Sequence, residues 1–142
     1  MPHFSEMIEI SRPPDAVWRV LARPEQWFEG YLETKNRSPD YPAPDSRNDH
    51  VYKTRMKEDV TVKVLRSEAG SLLEETQEGK TFSRKVTYRL EPGYEDRTKL
   101  NVADDVNFKG LGKLAGPLAW RDVKSRWARS LENLRNATTA SG

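Results

Sequence analysis

The sequence contains no cysteine, which excludes a disulfide framework, zinc knuckles, iron–sulfur ligation and thiol catalysis together. Histidine is nearly as scarce. His3 and His50 are the two imidazoles, too few for a three-histidine zinc site, and neither sits in the two-histidine helix motif of metalloproteases. No metal and no cofactor are expected. The eight glycines are scattered among turns and form no phosphate-cradling loop, dinucleotide fingerprint or nucleophile elbow. Apolar residues come in short clusters, well below the roughly 18 consecutive apolar residues that cross a bilayer, so no transmembrane segment is expected. Residues 1–10 alternate polar and apolar side chains instead of placing a basic start before an apolar run. They do not read as a signal peptide, and a cytoplasmic protein is expected.

What is present suits one polar domain. The 142 residues, 35% hydrophobic and 32% charged, are read as a single domain over 1–142 with a disordered tail from about residue 137. The net charge of +2 is too small to imply nucleic acid. Its distribution is uneven: Leu111–Ala137 carries Lys113, Arg121, Lys124, Arg126, Arg129 and Arg135 against Asp122 and Glu132. Such a basic helix face is either simply solvated or a contact for phosphate, an anionic membrane or an acidic partner.

Phe4–Ile10 alternates with Phe4, Ile8 and Ile10 on one face, the pattern of a strand. Pro13 and Pro14 end it and suit the first turn of a helix, where Asp15 meets the positive end of the dipole. A short helix is expected over Asp15–Ala22, with Val17, Trp18 and Leu21 inward, and a second one from Pro24 through Trp27, Phe28 and Tyr31. From Asn36 to His50 the chain holds Pro39, Pro42 and Pro44 among Asp and Asn residues with no sustained period. This predicts a long loop, either a surface excursion or a flap at a pocket mouth with Tyr41 and Tyr52 as its contacts.

Five strand-like segments follow, at about Val51–Met56, Val60–Ser67, Ser71–Gln77, Thr81–Glu91 and Thr98–Phe108. Val60, Val62 and Val64 share a face, as do Phe82, Val86, Tyr88 and Leu90, and Leu100, Val102, Val106 and Phe108. Ala69-Gly70, Glu78-Gly79 and Pro92-Gly93 mark turns. The pattern is a curved antiparallel meander with one buried face. Arg84 and Asp104 break it, because both fall on faces otherwise committed to the interior. Burying either alone is costly; adjacent strands would let them pair, or the inner face lines a cavity that holds water. In the C-terminal region Leu111, Leu114, Ala115 and Leu118 form one helical stripe, and Trp120, Val123, Trp127, Leu131 and Leu134 form another pointing nearly opposite. The phase changes at Gly116-Pro117, so the main helix is expected from Pro117 to about Arg135, with Lys109–Gly116 a separate short turn or lid.

A strand, two short helices, a long antiparallel meander and a final amphipathic helix make an α+β arrangement that resembles the helix-grip fold of the START-like superfamily, in its polyketide cyclase/dehydrase and lipid-transport branch. Ile8-Glu9-Ile10-Ser11-Arg12-Pro13-Pro14-Asp15-Ala16-Val17-Trp18 is similar to the family's opening. Val86-Thr87-Tyr88-Arg89-Leu90-Glu91-Pro92 with Arg97-Thr98-Lys99-Leu100 resembles its penultimate hairpin, and Leu131-Glu132-Asn133-Leu134 the end of its last helix. The usual second strand has no clear counterpart in Ser38–Asp45. The resemblance implies a curved sheet wrapped around the C-terminal helix and a cavity between them for a hydrophobic or aromatic small molecule. Its expected walls are Trp120 and Trp127 on the helix and Phe82, Tyr88, Val102 and Phe108 on the sheet, although ordinary core packing explains each of these singly. In an enzyme of cyclase/dehydrase type, Arg84 would stabilise an enolate or phenolate oxygen, Asp104 would move a proton, and Tyr88 or Tyr52 would orient the substrate. A carrier would use the same residues without catalysis. The alternative function is a protein-interaction or stress-regulatory module that uses Arg121, Lys124, Arg129 and Arg135. Nucleic acid ranks last, since no aromatic residues interleave with the basic face.

Overall fold

A computed structural model describes residues 3–54, 56–115 and 117–140. Arg55, Gly116 of the Gly116-Pro117 break, and residues 141–142 of the expected tail lie outside the described residues. Seven strands, β1 (His3–Ile10), β2 (Tyr31–Arg37), β3 (Arg47–Lys53), β4 (Lys57–Glu68), β5 (Leu72–Glu78), β6 (Phe82–Pro92) and β7 (Thr98–Phe108), form one antiparallel sheet in the order β1-β7-β6-β5-β4-β3-β2. Helix α1 (Pro14–Leu21) follows β1, and the long α2 (Pro117–Ala140) ends the chain. No helix of the described residues is long and apolar enough to cross a membrane.

The order has a simple cause. β3 to β7 are joined by short turns and β2 to β3 by residues 38–46, all pairing in sequence, while β1 pairs with the last strand, so the chain must cross from one edge of the sheet to the other between β1 and β2. Helix α1 makes that crossing. Pro13 holds extended backbone before it, Pro14 occupies the first turn, and Ala16, Val17, Val20 and Leu21 are buried. The second short helix expected here is a single 3-10 turn, Pro24–Gln26; Trp27 and Phe28 enter the core and Tyr31 already belongs to β2. A register shift between Val64 and Arg66 bends β4 against β5 and turns Leu65 outward.

Two sequence expectations are corrected at this end of the sheet. Asn36–His50 is not one long loop: β2 ends at Arg37 and β3 begins at Arg47. β2 escaped notice because it is an edge strand whose residues 32–36 are all exposed, so nothing alternates. The expected strand Val51–Met56 covers only the end of β3; its start escaped because its first inward residues, Asn48 and His50, are polar yet buried. Gly30 precedes β2 with φ +94°, and a Cβ there would meet the Tyr52 ring and the Lys53 carbonyl at 2.7 Å. Only glycine allows this close approach. At the other end, α2 runs past the expected limit of Arg135 to Ala140, with Thr138 buried, so the tail expected from about residue 137 is helical through Ala140.

The core lies between the concave face of the sheet and the two helices. Val60, Val62 and Val64, then Val86, Tyr88 and Leu90, then Leu100, Val102 and Val106 supply the sheet side, and Val123, Trp127, Leu131 and Leu134 the α2 side. Leu134 is fully buried. Truncation leaves a cavity that a close-packed interior fills incompletely, so Leu134→Ala is expected to cost about 3 kcal/mol. Urea denaturation should show a lower midpoint with an unchanged m-value.

Candidate functional site

A cavity of about 150 Å³ opens between the far ends of β3, β6 and β7 and the first turns of α2. Tyr52, Phe82, Arg84, Val106 and Phe108 form its sheet wall, Ala119, Val123 and Arg126 its helix wall, and Leu111 of the 3-10 turn Gly110–Ala115 and Leu118 border it. The turn therefore stands where a lid was expected. Leu111, Leu114 and Leu118 are all exposed.

Alternation along β6 and β7 sends Arg84 and Asp104 to the concave side, and the antiparallel register sets Arg84 opposite Val106 and Asp104 opposite Val86. The two side chains meet there. Arg84 Nη2 lies 3.1 Å from Asp104 Oδ2, and the same oxygen accepts a hydrogen bond from Trp127 Nε1 at 2.7 Å. Arg84 contributes to the cavity wall, whereas Asp104 is fully buried behind it. Arg84 Nε and Asp104 Oδ1 have no hydrogen-bond partner among the described residues. Burial opposes the charge on Arg84, but Asp104 and then the Tyr52 phenol more than offset it and hold the guanidinium charged. Burial also raises the Asp104 carboxyl above the ordinary carboxylate range, against the pull of Arg84 and Trp127. The Arg84 guanidinium lies over the Phe82 ring at 5.2 Å and Arg126 over Tyr52 at 5.9 Å, while Arg126 Nε donates to Asp122 at 2.8 Å.

The structure brings Tyr52, Phe82, Arg84 and Phe108 together around the cavity. Tyr88, Val102 and Trp127 are fully buried and do not line it. Tyr88 and Trp127 belong to an aromatic pack with Trp27 and Phe28, and Trp127 stacks on Phe4 at 5.8 Å. Trp120 is partly exposed beneath the Lys124 ammonium, 5.4 Å from its ring. Sequence reading did not single out Arg126 and Asp122 as cavity residues. Their i, i+4 spacing on the face beside Val123 and Trp127 was the available signal. On the basic face, Arg129 reaches Glu29 at 3.5 Å and Arg135 reaches Glu132 at 3.1 Å. No group of three or more His, Asp or Glu side chains is placed to hold a metal ion among the described residues.

A second polar cluster lies deeper on the concave face. Tyr41 is not at the mouth of the main cavity; it turns inward, and its hydroxyl donates to Glu75 Oε2 at 3.0 Å. Gln77 Nε2 stands 3.4 Å from the other Glu75 oxygen. Burial pushes the Glu75 carboxyl up to about 7, with Tyr41, Gln77 and Arg84 pulling the other way. Burial, helped by the charge on Arg37, lowers His50 to about 4. Neither Glu75 nor His50 was a sequence candidate, because each stands among other polar residues on its strand and looks like surface polarity.

A family model described as polyketide cyclase / dehydrase and lipid transport matches residues 1–138. No curated protein matches the chain by sequence. Among solved structures, a START superfamily protein from Mycobacterium smegmatis is 14% identical with a TM-score of 0.81, each chain covered over 99%. The protein TTHA0849 from Thermus thermophilus is 16% identical with a TM-score of 0.77, again with 99% of each chain covered. Ara h 8.0201 is 13% identical with a TM-score of 0.75 and 98% coverage of both chains. At these identities the likeness is one of fold.

Removing one member of a buried ion pair leaves the other uncompensated, so Arg84→Met is expected to destabilise by about 3–5 kcal/mol, and Arg84→Met with Asp104→Leu by clearly less. Chemical denaturation of the single and double variants measures the difference. The two shifted groups also set opposite pH trends. Glu75 is harder to ionise in the folded chain, so its contribution is lost as pH rises from about 4.5 to about 7. His50 is harder to protonate, so its contribution is lost as pH falls from about 6.5 to about 4. Glu75→Gln should therefore gain on the parent by about 3 kcal/mol between pH 4.5 and 8, read from denaturation midpoints across that range.

Proposed function

Since the chain belongs to the polyketide cyclase/dehydrase and lipid-transport family, we propose that its cavity binds one hydrophobic or aromatic small molecule between the sheet and the C-terminal helix. The observation that carries this reading is a mostly apolar cavity of about 150 Å³ whose wall includes a buried guanidinium with no hydrogen-bond partner for its Nε among the described residues. Binding sites combine apolar walls with a few convergent polar groups in this way. Phe82, Val106, Phe108 and Val123 take the apolar body of the ligand. Arg84 donates to an oxygen on it, and Tyr52 stands beside Arg84 to orient it.

The chemistry of Arg84 narrows the ligand. Asp104 neutralises the guanidinium from behind, so the pair offers N–H donors with little net charge and suits a carbonyl or phenol oxygen better than a carboxylate. Asp104 is a positioning residue here, acting through Arg84. In a cyclase/dehydrase, the same donors would stabilise an enolate or phenolate oxygen as charge develops on it. A carrier needs only the contact. A volume near 150 Å³ suits about one aromatic ring, so a two-ring ligand such as 2-naphthol enters with the turn carrying Leu111 moved aside.

Titration with 2-naphthol followed by its fluorescence tests the reading, alongside native mass spectrometry of freshly purified protein for a retained small molecule. Ala119→Trp fills the cavity from a half-buried helix position and is expected to weaken 2-naphthol binding at least tenfold while leaving the fold intact by circular dichroism. Undiminished binding in that variant, or no binding by the parent protein, would overturn the proposal.

A further inference from the structure

Behind the main cavity lies a space of about 10 Å³ whose lining is half apolar, with Trp27, Phe28 and Leu73, and half polar, with Asn48, His50 and Gln77. His50 is its odd member. Its ring is 2% exposed, lies against Tyr31 with centroids 4.2 Å apart, and meets the edge of Tyr52 at 6.3 Å. Asn48 donates to Tyr31 and accepts from Arg37, and Glu75 accepts from Tyr41 and Gln77. Neither nitrogen of His50 makes a well-formed hydrogen bond among the described residues; the Asn48 backbone engages the ring only weakly. A neutral imidazole presents one donor and one acceptor, and interiors rarely leave both unused.

The chamber selects its occupant by size and charge. About 10 Å³ is the lower limit of room for a single water-sized oxygen, too small for a carboxylate or phosphate. Burial and the nearby Arg37 disfavour a cation, and no metal-holding cluster is present among the described residues. What fits is a neutral O–H group that both donates and accepts. We propose that this chamber is a binding site for one hydroxyl oxygen, held by His50. Two sources share that chemistry: a water molecule, or the hydroxyl end of the ligand in the main cavity. The second source rests on the function proposed above. It is sterically close, because Gln77 of the chamber faces Arg84 of the cavity across the β5–β6 register, and Tyr52 of the cavity wall touches His50.

High-resolution crystal structures of the protein alone and soaked with 2-naphthol test the site, with His50→Phe, which keeps the ring stacked on Tyr31, as the control. The expected result is one oxygen within hydrogen-bond reach of a His50 nitrogen, lost in His50→Phe. An oxygen that persists unchanged in the soaked crystal identifies water, and its replacement by the naphthol oxygen identifies the ligand hydroxyl. Either outcome supports the site. Density showing no oxygen at His50 in either crystal overturns it. A bound water with 2-naphthol absent from the main cavity keeps this site and defeats the cavity reading instead.

Discussion

The contact on which the rest of the molecule depends is the buried triad of Arg84, Asp104 and Trp127. It ties β6, β7 and α2 together at one oxygen, Asp104 Oδ2, which takes Arg84 at 3.1 Å and the Trp127 indole at 2.7 Å. Each member makes the next tolerable. The carboxylate needs the guanidinium to be buried at all, and the indole N–H needs an acceptor if the largest side chain of the helix is to enter the core. Once Trp127 is held there, Phe4, Phe28 and Tyr88 pack around it. One polar contact thereby sets the rotation of the helix over the sheet. It also leaves Arg84 half committed, paired through Nη2 and with Nε unpartnered among the described residues.

The same triad explains why packing and binding were hard to separate by reading residues alone. Tyr88, Val102 and Trp127 carry the same apolar signal as Phe82 and Phe108, yet the first three are sealed in the core and the last two meet the cavity. Alternation reports which side of the sheet a residue faces. It says nothing about how far along the strand the helix covers it. A cavity separates the helix from that face near Ala119 and Val123, and the residues opposite it become walls.

Much of the fold was legible because strands with one apolar face announce themselves. β6 and β7 fall within a residue of the expected Thr81–Glu91 and Thr98–Phe108, β4 starts at Lys57 ahead of the expected Val60, and the inward Arg84 and Asp104 were visible as breaks in alternation. Legibility failed where the physical pattern was missing. β2 has no buried stripe, and β3 turns Asn48 and His50 inward. Glu75 and Gln77, inward on β5, look like ordinary surface polarity in sequence. The concave face near these residues is polar by construction, so a rule that equates inward with apolar misses the region where hydrogen-bonding chemistry is concentrated.

The pairing of the first strand with the last has a consequence for how the chain is made. β3 to β7 are joined by turns, and each finds its partner as soon as the next few residues emerge. β1 has its partner about a hundred positions away, with His3 contacting Asp105 at a separation of 102 residues. During synthesis the N-terminal strand must wait, unpaired, until nearly all of the sheet has left the ribosome. Such long-range closure slows folding in general, and until it happens β7 presents an open edge to any neighbouring chain. Ser5, Glu6 and Glu9 interrupt the apolar Phe4, Met7, Ile8 and Ile10 of that waiting segment.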